Sequence, residues 1–97
     1  MSGLSPDVSK LADVCRRNDV TRLRVFGSYA RGEATGTSDV DLIADFSAPK
    51  SLLDIVRIER EMSAALGLTV DLLTEGAISP YIRERIADDL QVIYEAG

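Results

Sequence analysis

Apolar residues recur along the chain with two periods, one near 3.6 and one of 2, and the switches between them mark its elements. Val8, Leu11, Ala12 and Cys15 lie at helical spacing. They follow Ser5 and Pro6, an N-cap hydroxyl with proline at the first helical position, and Asn18-Asp19 closes this helix. From Val20 to Phe26 the period drops to two. Thr21, Leu23 and Val25 share one face and Arg22 and Arg24 the other, which predicts a half-buried strand stopped by Gly27. Gly27 to Ser38 is rich in glycine, serine and threonine, predicting a loop with one short helical turn near Tyr29 to Arg31. Alternation resumes from Asp39 to Phe46. Val40, Leu42, Ala44 and Phe46 fall on one face, with Asp39, Asp41, Ile43 and Asp45 on the other.

Ser51 to Leu66 predicts a second helix. Leu52, Ile55, Val56, Met62, Ala65 and Leu66 form its apolar stripe, and Gly67 is placed to end it. Leu68 to Thr74 predicts a third strand, with Val70 and Leu72 opposite Asp71. After a Glu75-Gly76 turn, Pro80 opens a last helix in which Ile82, Ile86, Leu90 and Ile93 repeat at helical spacing. The order helix, strand, strand, helix, strand, helix fits an α+β (α/β two-layer) fold: a small mixed sheet covered mainly on one face by helices. The charged opposite faces of the strands are then exposed or functional. Ninety-seven residues, without a linker or repeat, make one domain over residues 1–97.

Composition narrows the chemistry. The chain has no histidine and one cysteine, Cys15. A Cys/His zinc site, a nucleophile activated by imidazole and an internal disulfide are therefore excluded. Cys15, within an amphipathic helix, reads as core or boundary filler. Sixteen carboxylates face eleven basic groups, a net charge of −5. Chemistry must come from carboxylates, hydroxyls, arginines and hard metal ions. The acidic balance disfavours direct nucleic-acid binding. Charge is uneven, however, with residues 1–31 at +3 and residues 32–97 at −8. Arg16, Arg17, Arg22 and Arg24 read as solvated helix and strand faces, or else as a contact surface for an acidic partner. Residues 1–7 lack the basic start and apolar core of a secretion signal, and no apolar run approaches a membrane span. With a single thiol, a cytoplasmic location is expected.

One constellation stands out. Gly27-Ser28 ends the first strand, and ten residues later comes Asp39-Val40-Asp41. A strand ending in Gly-Ser presents backbone N–H groups and a hydroxyl suited to phosphate oxygens. Asp39 and Asp41, two apart on a strand, project from one face. They repel unless a cation lies between them, and Mg²⁺ favours one or two carboxylates together with phosphate oxygens. If the third strand pairs beside this one, Asp71 joins the same patch. Three carboxylates can hold two metal ions ~3.5–4 Å apart, an arrangement that supports in-line displacement at phosphorus.

The run Phe26-Gly-Ser-Tyr-Ala-Arg-Gly-Glu33 through Ser38-Asp-Val-Asp-Leu42 resembles the signature of the polymerase-β-like nucleotidyltransferase superfamily, and most closely its minimal nucleotidyltransferase (MNT) branch. The resemblance covers nearly the whole chain. Val70-Asp71-Leu72 matches the third-carboxylate strand, and Ile86 to Glu95 looks like the family's last helix. No motif position departs from the pattern.

The resemblance implies transfer of a nucleoside monophosphate from a triphosphate, here ATP, to a hydroxyl, with two Mg²⁺ ions. Asp39 and Asp41 would ligate both ions. Asp71 would complete one ion's shell and take the hydroxyl proton. Ser28 and the Gly27 backbone, and Arg31 beside them, would hold the triphosphate. Many members of the branch are antitoxins that neutralise a HEPN-domain ribonuclease toxin by AMP transfer onto a tyrosine. A chain of this length supplies a catalytic layer and little wall for a small acceptor. Another protein, or a second copy of this one, should therefore present the acceptor. Two other readings stay open: a binding module that neutralises its partner by occlusion, and a small-molecule nucleotidyltransferase with a separate acceptor subunit.

Overall fold

The computed structural model describes residues 8–32 and 39–96, excluding the side chains of Val8 and Ser28. The helix start expected at Ser5-Pro6, and Glu33 and Ser38 of the motif, lie outside the described residues. The elements are α1 (Val8–Arg17), β1 (Val20–Phe26), α2 (Ser28–Arg31), β2 (Val40–Phe46), α3 (Leu52–Leu66), β3 (Val70–Thr74), α4 (Pro80–Ile86) and β4 (Gln91–Glu95). A 3-10 turn covers Glu75–Ala77. The strands form one mixed sheet in the order β3-β2-β1-β4. β1 runs antiparallel to both β2 and β4, and β2 runs parallel to β3.

The period-2 stretches become strands because one face can be buried. Leu23 and Val25 of β1, Val40, Leu42 and Ala44 of β2, and Val70 and Leu72 of β3 pack against Leu11, Val14 and Cys15 of α1 and Ile58 and Met62 of α3. Burial raises the Cys15 thiol to about 11, with Arg16 opposing, so the group is core filler. A bulge between Val20 and Arg22 shifts the alternation at the start of β1. Buried Asn18 ties the two helices together. Its amide donates to the Val14 carbonyl (2.8 Å) and to Glu61 (3.2 Å), while Arg57 donates to its Oδ1 (3.1 Å).

α3 has defined ends. Ser51 and Asp54 form a reciprocal capping box, and Gly67, at φ 69°, donates back to the Ser63 carbonyl. The same helix protects the sheet edge. The backbone N–H groups of Val70 and Leu72 donate to Ser63 Oγ (3.0 Å) and Glu59 Oε2 (2.8 Å). Edge-strand donors that would otherwise face water are thereby occupied.

Two expectations need correction. The last helix does not continue through Leu90 and Ile93. It ends at Ile86, and Gln91–Glu95 form β4 along the free edge of β1. Val92, Ile93 and Tyr94 favour strand geometry, and pairing satisfies backbone groups of β1 that a helix would leave open. The apolar stripe of α3 is also narrower than its period suggests. Of its expected members, Leu52 is 78% exposed and Val56 37%.

Candidate active site

Two cross-strand registers build the site on the open face of the sheet. Phe26, the last residue of β1, pairs with Asp41, and the parallel neighbour of Asp41 on β3 is Asp71. Partners in register point the same way, so Asp41 and Asp71 stand side by side on the face away from the core. Asp71 is held there by its flanking residues, whose N–H groups are the two anchored by Ser63 and Glu59. Asp39 immediately precedes β2, two residues from Asp41.

Gly27 turns the chain at the end of β1 with φ 77°. Its Cα lies against the Asp41 carboxylate, and a Cβ at this position would stand 2.6 Å from Asp41 Oδ2. Both the backbone conformation and the space therefore call for glycine. The turn leads into α2, where the Arg31 N–H donates to the Gly27 carbonyl (3.1 Å). The Ser28 side chain lies outside the described residues.

Carboxylates on this one face receive opposite treatment. Asp45 is neutralised by Arg22 (2.8 Å) and Arg24 (3.4 Å). Of the face expected to be exposed, Arg22 stays solvent-accessible while Arg24 is largely covered within an ion-pair network, in which it also meets Glu75 and Glu75 meets Arg83 of α4. Burial works to raise the Glu75 carboxyl, but Arg83 and Arg24 outweigh it and hold it below its ordinary value. Asp39, Asp41 and Asp71 make no ion pair among the described residues. Burial, then Asp71 and Asp39, push the Asp41 carboxyl above its ordinary value, and Arg31 only partly offsets them.

This uncompensated negative charge suits a divalent cation. Among the described residues, no three such groups are already gathered around one point. Mg²⁺ does not require such a cage, since it takes one or two carboxylates and completes its shell with phosphate oxygens and water.

Arg31 also bonds Asp89 (2.8 Å), beyond the end of α4, and Gln91 donates to the Ala30 carbonyl (3.0 Å). These contacts close a cleft of about 290 Å³ between α2 and α4, with Gly27 on its wall. Ile82, Arg85, Ile86 and Asp89 line it, and sequence reasoning did not single them out as site residues. Ile82 and Ile86 carry the same helical spacing as core residues, and only the folded chain, in which α4 buries no residue, shows that they stand clear of the core.

Carboxylates that make no ion pair among the described residues, beside a glycine turn, suit metal-assisted transfer at phosphorus. The chain belongs to the nucleotidyltransferase domain family, which matches residues 8–93, and is a nucleotidyltransferase. A Methanocaldococcus jannaschii protein named as a protein adenylyltransferase is 41% identical over 80 residues, covering 82% of this chain and 86% of the relative. Protein adenylyltransferase MntA of Thermococcus cleftensis is 41% identical over 70 residues, 72% of this chain and 71% of that one. Among solved structures, one described as a minimal nucleotidyltransferase is 36% identical with a TM-score of 0.74, covering 87% of this chain and 86% of its own. A toxin-antitoxin structure with AMP-PNP has a TM-score of 0.80 at 18% identity, covering 93% of this chain and 74% of its own, and shares the fold. No helix among the described residues is long and apolar enough to cross a membrane.

Proposed function

We propose that residues 1–97 act as a single Mg²⁺-dependent domain that transfers AMP from ATP to a tyrosine hydroxyl of a HEPN-domain toxin, and so serves as its antitoxin in the cytoplasm. The observation that carries this reading is the side-by-side register of Asp41 and Asp71, with no ion pair among the described residues, against the Gly27 turn. The names of the relatives, protein adenylyltransferases, support the transferred group. The partner is supported by a structural neighbour, a Shewanella oneidensis HEPN toxin, tri-AMPylated, in complex with an MNT antitoxin.

Asp39, Asp41 and Asp71 would hold two Mg²⁺ ions, which when bound supply positive charge to the phosphate oxygens. Gly27 lets its backbone lie against the Asp41 carboxylate, and that backbone and Ser28 bind the triphosphate while Arg31 adds positive charge. Asp71 lies on the far side of Asp41 from Gly27, where an acceptor can approach, and accepts the hydroxyl proton on a carboxylate oxygen. The acceptor oxygen bonds to the α-phosphorus. The bond from that phosphorus to the bridging oxygen breaks, and pyrophosphate departs with the electron pair.

To test this, the chain is incubated with the protein encoded beside it, Mg²⁺ and ATP, and intact masses are read. Gain of one or more AMP units on the partner, abolished by Asp39→Ala and Asp41→Ala, is expected. An unmodified partner would sink the transfer reading. Full neutralisation of the partner by both variants would point instead to occlusion.

A further inference from the structure

The carboxylate chemistry leaves the cleft beside Gly27 unused. At about 290 Å³ it lies near the lower end of small-ligand sites. Phe26, Ile82 and Ile86 give it apolar walls, and Arg31 and Arg85 border it. Asp89 also lines it, bonded to Arg31. Arg85 makes no ion pair among the described residues, and its guanidinium carbon sits 5.8 Å from the centroid of the Tyr81 ring. Ile82 remains 47% exposed, so it lines this opening without being packed into the core. Arg83, on the same helix, is tied to Glu75, which holds α4 to the sheet.

Apolar walls, with Asp89 already bonded to Arg31, suit a polyphosphate less well than its arginines alone would. They suit a flat ring with polar edges, which can lie on Ile82 and Ile86 and stack with the planar guanidinium of Arg85. Gly27 forms part of the cleft and also touches Asp41, so one molecule can span both places. We propose that this cleft seats the base of the nucleoside triphosphate, and that Ile82, Arg85 and Ile86 of α4 set nucleotide preference. The proposal rests on the transferase reading above and assigns the base to the β1 side of Asp41, leaving the Asp71 side to the acceptor.

Calorimetric titration of the full chain with Mg²⁺ and ATP, GTP, CTP, UTP or inorganic tripolyphosphate tests the assignment. Arg85→Ala and Ile82→Ser alter exposed side chains, and unchanged melting curves check their folding. Each should weaken ATP binding about tenfold, the scale of losing one stacking contact. Each should also narrow the spread among the four nucleotides while leaving tripolyphosphate binding unchanged. Arg85→Lys, which keeps the charge and loses the plane, should behave like Arg85→Ala. The proposal is overturned if tripolyphosphate weakens as much as ATP and Arg85→Lys restores both, because the cleft then holds phosphate. It is equally overturned if no variant changes nucleotide binding. Should the unaltered chain bind neither ATP nor tripolyphosphate, the transferase reading falls with it. Binding that is intact but indifferent to α4 removes the base seat alone.

Discussion

Replacing Asp41 by asparagine should make the protein more stable while disabling it. In the folded chain Asp41 sits in register with Asp71, and burial with the neighbouring carboxylates raises its proton affinity above the ordinary value. The folded state therefore binds this proton more tightly than the unfolded state does. Stability contributed here is present below the ordinary carboxylate range and is lost as pH rises through the raised value, leaving a cost at neutral pH. Adjacent strands are ~4.8 Å apart. Unit charges about 5 Å apart repel by about 1 kcal/mol in water and about 3 kcal/mol at an effective dielectric constant near 20. Asp71 is exposed and Asp41 half-buried, so the lower figure applies. In a domain of this size about 1 kcal/mol shifts the melting temperature by about 4–8 °C. Asp41→Asn should therefore melt about 4–8 °C higher than the unaltered chain at pH 7 without divalent cations. The gap should close near pH ~3, where carboxyl groups are mostly protonated. Mg²⁺ should raise the melting temperature of the unaltered chain and leave the variant unmoved. A variant that melts no higher at pH 7, or an equal Mg²⁺ response in both proteins, would refute the reasoning.

Gly27→Ala should cost about 1–2 kcal/mol from its left-handed backbone alone, measured by denaturant titration. Its methyl would also press on Asp41 Oδ2, so transfer activity should fall by more than the stability loss explains. Glu59→Ala removes the acceptor for the Leu72 N–H and should destabilise by about 1.5–3 kcal/mol, the range for a bond to a charged group. With β3 loosened, amide exchange at Leu72 should accelerate ahead of exchange in β1. Cys15 should resist a thiol reagent at pH 8 in the native protein and react at once in denaturant. Its thiol is buried and raised to about 11.

Ion pairing divides the described carboxylates of the sheet's open face into a compensated set and an unpaired set. Asp45 and Glu75 are matched by arginines, which lets that half of the face be partly covered. Asp39, Asp41 and Asp71 make no such pair among the described residues, and theirs is the charge that the proposed function assigns to a cation. If these three of the sixteen carboxylates face bound cations, as proposed, setting them aside brings the balance from −5 to −2.

Local periodicity made β1, β2, β3 and α3 legible in the amino-acid order, because each hides one face and its alternation records which. The spacing from Gly27 to Asp39 and Asp41 was equally legible, since turn and strand chemistry act over a few residues. Long-range placement was not. Leu90 and Ile93 satisfy a helical period as well as a strand, and the unpaired edge of β1 decided for β4. Leu52 and Val56 are apolar at helical positions, yet the folded chain leaves both exposed. Arg24 reads as a solvent charge until folding brings Asp45 and Glu75 to it. The parallel register of Asp41 and Asp71, and the placing of α4 beside Gly27, depend on crossovers between distant segments. Residue chemistry and local period are properties of neighbours in the chain, whereas register and clefts arise only when segments far apart in the chain compete for the same hydrogen bonds and the same core.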